Sequence, residues 1–210
     1  MKEKIIPQDL EDLKLIFREE LRLNGNHCDL NHIDISNLTS LEELFYSSSF
    51  NGDISKWDTS NIKTMKLMFR DSIFNGDISK WNVSNVINME EMFHNSNFNQ
   101  DINLWDVSKV ENMKDMFSDS LFNKNISNWN VSKVKDMNQM FHLSNFNKNL
   151  INWKPISLQY KDYMFQRCPA PIPYWAEALN TPAAVRSYWL NKYLEDSLID
   201  KNIKSNKMKI

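Results

Sequence analysis

Carboxylates, imidazoles and thiols are the side chains with which a protein binds metals or moves protons. In this chain they are spread at wide, regular intervals. Asp53, Asp77 and Asp101 recur every 24 residues, a row that could offer oxygen ligands to calcium. The row continues in phase as Asn125 and Asn149, and the Gly-rich nonapeptide of calcium-binding β-helix repeats is absent, so no metal is expected. His94 and His142 hold equivalent positions two periods apart. If each period advances the chain by one strand spacing, that is about 10 Å, too far for one metal ion at ordinary ligand distances. His27 and His32 form no recognisable pair. Cys28 and Cys168 flank the periodic region and lie tens of Å apart on the same reckoning, beyond the ~7 Å that a disulfide spans. Two free thiols are expected, compatible with a reducing compartment. No nucleophile motif, Gly-rich phosphate loop or Cys/His metal spacing is present. An enzyme would need a polar cluster built from Tyr160, Asp162, Arg167 and Tyr174, where the periodic region meets the C-terminal segment. The spacing supplies no geometry for one, and neither catalysis nor a cofactor is expected.

The elements that must position these groups are set by the period itself. Phe50, Phe74, Phe98, Phe122 and Phe146 are 24 residues apart. Trp57, Trp81, Trp105, Trp129 and Trp153 keep the same interval, as do Phe45, Phe69, Phe93, Phe117, Phe141 and Phe165. A fixed period in the range of roughly 20–50 residues signals stacked repeats. Six copies run from residue 26 to 169. The copies 50–73, 74–97, 98–121 and 122–145 are close relatives, and those at both ends are degenerate, as terminal repeats are. Residues 1–25 form an N-terminal capping helix over 7–24, with Pro7 in its first turn, an apolar stripe of Leu10, Leu13, Phe17 and Leu21, and Gly25 as its stop. Residues 170–210 form a C-terminal cap and tail. Cys168-Pro169-Ala170-Pro171-Ile172-Pro173 interrupts the repeat. A short helix follows over 174–179. A second begins at Thr181-Pro182 and carries Val185, Tyr188, Trp189, Lys192, Tyr193, Leu194 and Leu198, and the tail from Asp200 is loose.

Within one copy, Phe74-Asn75-Gly76-Asp77 reads as a turn and Ile78-Ser79-Lys80-Trp81 as a short strand. Ser84 is placed as a helix N-cap. Val86, Met89, Met92 and Phe93 follow at i, i+3, i+6 and i+7, one stripe of a helix. In the next copy Ser108 and Glu111 have capping-box spacing. The fold class expected is therefore an α/β solenoid, a leucine-rich-repeat-like stack of six 24-residue strand–turn–helix units with helical caps at both ends. The methionine columns are core filler, and the Asn row from Asn51 to Asn147 satisfies backbone groups in turns. The Trp row has two solutions. In a regular strand Ile78 and Trp81 face opposite sides. Either a bulge turns Trp81 into the core, or five rings line an open sheet face where glycan or peptide could stack; core packing is the expectation.

The unit Phe-Asn-Gly-Asp-Ile-Ser-Lys-Trp, then Asp/Asn-Thr/Val-Ser-Asn-Ile/Val, then Met and Met-Phe, resembles the BspA-like leucine-rich repeats of the Mycoplasma-type domain of unknown function. Residues 50–153 carry the resemblance strongly, 26–49 and 154–169 weakly, and the caps not at all. It implies a leucine-rich-repeat-like stack of 24–25-residue repeats and a place among bacterial surface proteins and lipoproteins with adhesive roles. It brings no catalytic residues. This chain shows no secretory signal and no lipid-attachment cysteine near its start.

Charge and exposure narrow the function. Lys+Arg 25 and Asp+Glu 27 are interspersed, for a net charge of -2, which gives no pull toward nucleic acid. No apolar run approaches the ~18 residues of a membrane helix. In-phase positions that vary between copies should be solvent-facing and should encode a partner. The row before each Trp is Lys56, Lys80, Leu104, Asn128 and Asn152; the row after it is Asp58, Asn82, Asp106 and Asn130. The reading is a monomeric, non-enzymatic recognition protein with a protein partner, or a glycan. It would be cytoplasmic or exported without a Sec signal, with a surface adhesin as the alternative that the resemblance implies.

Overall fold

The computed structural model of the chain describes residues 3–177, 184 and 187–192. Thr181, Pro182, Val185, Tyr193, Leu194, Leu198 and the tail lie outside the described residues, so the second C-terminal helix is seen only over 187–192.

Each 24-residue period makes one turn of a stacked coil. The joint between successive coils is made by the stretch around the Met-Phe pair. Met89, Glu91, Phe93 and Asn95 each donate a backbone N–H, at 2.9 Å, to the carbonyls of Asn112, Lys114, Met116 and Ser118 in the next coil. The same alternate positions make the same bonds at the joints before and after it, from Leu41 to Gln166. Pairing is parallel, and it stays at the level of isolated bridges, Ser40 to Thr64 to Asn88 to Asn112 to Asp136 to Tyr160.

This overturns the strand–turn–helix unit expected from the spacing. Among the described residues the repeats contain no helix and no extended strand; α1 is Leu10–Asn24 and α2 is Tyr174–Glu177. The stretch 86–96, expected as helix, is a run of turns. Met92 and His94 donate to the carbonyls three residues back, while the N–H groups between them leave the coil for its neighbour. Glu91 and Asn95 sit at φ 54° and 47°, in the left-handed region, which no right-handed helix accommodates. Leu67 and Asp71, Asp115 and Asp119, and Gln139 and Leu143 repeat that pair. Ile78–Trp81, expected as strand, is a turn closed by the Trp81 N–H on the Ile78 carbonyl at 3.1 Å. Ser84 is not an N-cap: its own N–H is captured by the Asn82 side chain at 3.1 Å. Ser108 and Glu111 form no capping box either, since the Ser108 N–H bonds Asp106 and the Glu111 carboxylate takes the Lys135 ammonium.

The turn at 78–81 also decides where the tryptophans face. A reversal over four residues brings Ile78 and Trp81 to the same side, so the core receives both. Trp57, Trp81, Trp105 and Trp129 are buried, and Trp153 is fully so. Each indole N–H donates to a carbonyl of the preceding coil: Trp57 to Leu30, Trp81 to Ile54, Trp105 to Ile78, Trp129 to Ile102 and Trp153 to Ile126, all within 3.0–3.2 Å. Beside them run two phenylalanine columns. The rings from Phe45 to Phe165 stack at centroid separations of 5.2 to 5.8 Å. Those from Phe50 to Phe146 stack at 6.0 to 6.4 Å. The methionine columns fill the space between, from Met65 and Met68 to Met137 and Met140. One further column is polar. The Asn51 side-chain oxygen accepts the Asn75 N–H, and Asn75, Asn99 and Asn123 do the same for the next Asn, at 2.8–3.0 Å. The donors that the turns leave over are thus satisfied by side chains one coil away.

The ends are closed differently. α1 begins at Asp9, whose side chain accepts the Asp12 N–H at 2.9 Å, and stops at Gly25, φ 77°, whose N–H bonds the Leu21 carbonyl. Pro7 lies before the cap, and its carbonyl accepts the Asn37 side chain. Leu13 and Phe17 are buried, and Phe17 stands edge-on over Phe45 at 4.9 Å. At the other end α2 supplies Trp175, whose indole donates to the Leu150 carbonyl at 3.3 Å and so adds a further rung to the tryptophan column. Neither Cys28 nor Cys168 is in a disulfide.

Candidate functional site

The row expected to meet a partner lies on the outside of the turn that buries the tryptophans. Lys56, Lys80, Leu104, Asn128 and Asn152 are all exposed, and each immediately precedes a buried indole. Leu104 is 90% exposed, the most open of the large apolar side chains described. The buried Trp fixes the backbone of its neighbour, so the outward residue is free to vary while its position is held.

The second row has a structural task. Asp58, Asn82, Asp106 and Asn130 are exposed, but each accepts the backbone N–H of the serine two residues on, at 3.0–3.1 Å. Hydrogen bonds from the hydroxyl and N–H of Ser60 and Ser108 hold the Asp58 and Asp106 carboxyls below the usual range. The acids of the row weighed and set aside for calcium do the same work: Asp53 and Asp77 accept the N–H groups of Ser55 and Ser79 at 2.9 Å, and those bonds lower both carboxyls. The Asp/Asn-x-Ser pattern is an Asx-turn signature visible in the sequence. Among the described residues, no group of three or more His, Cys, Asp or Glu side chains converges as a metal site would require.

A separate face carries ion pairs between coils. Glu90 takes Lys66 at 3.2 Å and Lys114 at 3.7 Å, Arg70 pairs with Glu91, and Lys135 meets Glu111 at 2.7 Å. Burial lowers the His94 imidazole there, with the Arg70 charge in the same direction. Burial raises the Asp136 carboxyl. The face is mixed in sign and offers no single-sign field.

Tyr160, Asp162, Arg167 and Tyr174 stand at the junction of the last coil and α2. All four are exposed, and no hydrogen bond or ion pair joins them. Asp162 uses its N–H on the Asn138 side chain, and Tyr174 packs on Tyr188 at a centroid separation of 5.9 Å. Nearby, Lys154, Tyr174, Tyr188 and Trp189 border an open cleft of about 630 Å³, with the Lys154 ammonium 5.9 Å from the Trp189 ring centre. Trp175 and this cleft escaped the sequence reading. Trp175 lies 175 − 153 = 22 residues after Trp153 rather than 24, because the proline segment shortens the last coil. A Trp just beyond Pro171 and Pro173 was the available signal.

Among the described residues no helix is long and apolar enough to cross a membrane. No curated protein and no solved structure matches the chain. Two overlapping segments, residues 11–121 and 94–171, match the family described as Mycoplasma protein of unknown function, DUF285. Those segments run from α1 through the last coil, and the chain belongs to that family.

Proposed function

We propose that this chain is a non-enzymatic recognition protein, and that the row Lys56, Lys80, Leu104, Asn128 and Asn152 contacts another protein. The observation that carries the reading is Leu104, a leucine 90% exposed at a position that buried tryptophans hold fixed in every coil. Many weak contacts along such a row give affinity without a deep pocket. The flanking Asp58, Asn82, Asp106 and Asn130 keep their turns and supply a polar rim. A photo-crosslinking residue placed at 80, 104 or 128 should yield one discrete adduct from native cells. The same residue at 61, 85 or 109, exposed elsewhere on the coils, should not. Equal, diffuse labelling from both sets would sink the reading.

The resemblance of residues 50–153 to the BspA-like repeats favours a second reading, a surface adhesin whose ligand is a host protein or glycan. The two readings differ in compartment. A cytoplasmic monomer, or an effector exported without a Sec signal, would be found in the cytosol or the medium; an adhesin would fractionate with the envelope. Fractionation of the native cell decides between them.

A further inference from the structure

Each coil donates four alternate N–H groups to the coil that follows, and among the described residues no coil follows the last. The carbonyls of Tyr160, Asp162, Met164 and Gln166 are all taken by the preceding coil. The N–H groups of Lys161, Tyr163, Phe165 and Arg167, which occupy the donating positions, find no acceptor among the described residues. Trp175 covers the tryptophan corner of this end but leaves that edge open. Phe165 stacks on Phe141 at 5.7 Å, and no described ring covers its other side. A cleft of about 290 Å³ lies along the edge, bordered by Lys161, Tyr163 and Phe165 on one side and Ile172 and Ala176 on the other. The Lys161 ammonium bonds the Ala176 carbonyl at 3.0 Å and ties the two walls together.

We infer that this edge binds a segment of a partner protein that takes up the same run of turns as residues 112–118. The segment runs parallel to residues 161–167, offers carbonyls at four alternate positions and lays an aromatic side chain on Phe165. The argument is continuity with the joints inside the stack, where the same four positions and the same ring column are always filled. Capture of a peptide segment through main-chain hydrogen bonds along an open backbone edge is a general mode of recognition. A second copy has the complementary acceptors, the carbonyls of Ser40, Glu42, Leu44 and Tyr46. There, however, α1 already stands over the end with Phe17 on Phe45, so a second copy cannot seat without displacing that helix. The inference rests on the recognition reading for the class of partner but uses a different surface, so either can fail alone.

The test is hydrogen exchange of the full chain, alone and with an acetylated peptide Asn-Met-Lys-Asp-Met-Phe-Ser-Asp. That is the sequence of residues 112–119, whose four carbonyls accept from the preceding coil. Alone, the N–H groups of 161, 163, 165 and 167 should exchange about 100-fold faster than those of 137, 139, 141 and 143. The peptide should slow the four by about tenfold or more, and a version with Ser in place of Phe should not. Phe165→Ala should weaken the peptide by about tenfold with protection at 137–143 intact, whereas Tyr163→Asn, which keeps the N–H and the left-handed backbone, should bind as the parent does. A crosslinking row that fails while the peptide still protects the edge would remove the row reading alone. No slowing at saturating peptide would overturn the inference. So would slow exchange before peptide is added: if it depends on protein concentration the occupant is a second copy, and if it does not the occupant is another part of this chain.

Discussion

Replacing Trp105 by Phe removes two things the structure assigns to it. The first is the indole N–H bond to the Ile78 carbonyl at 3.2 Å. That carbonyl also accepts the Trp81 N–H, so it is not orphaned, and the loss is at the low end for a buried bond, ~0.5–1 kcal/mol. The second is packing. Trp105 is 4% exposed between coils. Phe leaves ~40 Å² of apolar contact unmade, ~1 kcal/mol at the usual area coefficient. The residual void of ~40 Å³ adds ~1 kcal/mol more if neighbours do not collapse into it. Together the substitution should cost ~2.5–3 kcal/mol. Its neighbour gives the control: Leu104→Ala, at a side chain 90% exposed, should stay within ~0.5 kcal/mol. Urea unfolding followed by far-UV circular dichroism measures both. A Trp105→Phe cost under ~0.5 kcal/mol, equal to that of Leu104→Ala, would refute the inward tryptophan column.

Three further predictions concern the coils themselves. Asp34, held at about 2 chiefly by the Lys4 ammonium, and Asp53, Asp58, Asp77 and Asp106, lowered by bonds from the serines two residues on, all have folded pKa values below their unfolded ones. Their stabilisation is therefore present above the unfolded pKa of about 3.9 and lost as pH falls through the folded values. Urea midpoints should drop from pH 5 to 3, and Asn at 53, 58, 77 and 106 should flatten the drop; Asp136, raised by burial, works in the opposite sense. Gly52→Ala should destabilise the chain by ~2 kcal/mol or more, because its Cβ would meet the Cys28 backbone oxygen, whereas a Cβ at Gly76 would press on the buried Phe74 ring and stay 3.3 Å from the Gly52 backbone oxygen, and Gly76→Ala should cost less, ~1–2 kcal/mol; thermal unfolding separates them. Ser47, exposed at φ 49°, stands in the column that holds Asp71, Asn95 and Asp119 in the next three coils, and Ser47→Asn should raise stability by ~0.5 kcal/mol in the same assay.

The period, the register of the aromatic columns and α1 were all readable in the sequence, because like residues one coil apart must meet. The local backbone was not. Val86, Met89, Met92 and Phe93 fit a helical stripe, yet they also fit a run of turns whose alternate N–H groups leave for the next coil. Only the bonding partners distinguish the two, and those lie 23 residues away in sequence, as from Met89 to Asn112. Left-handed residues would have broken the helix reading, but Glu91, Leu67 and Gln139 carry no preference for that region, so the stack imposes it on them. At the candidate site the exposure of Lys56 and Leu104 followed from variation between copies. The Asx turns of Asp58 and Asn82 did not, because the spacing was read as helix entry. The donor edge at 161–167 is a property of bonds not made among the described residues, and no residue type announces it.

Deletion of residues 98–121 bears most directly on the claim that equivalent coils are joined by the same bonds to their neighbours alone. In the shortened chain Phe122 would follow Asn97 in place of Phe98, and the Trp129 indole would reach the Ile78 carbonyl that Trp105 now holds. Circular dichroism and urea unfolding should show a folded, cooperatively unfolding chain with buried tryptophan fluorescence. A chain without cooperative unfolding and with tryptophans open to a soluble quencher would contradict the stacked-coil account.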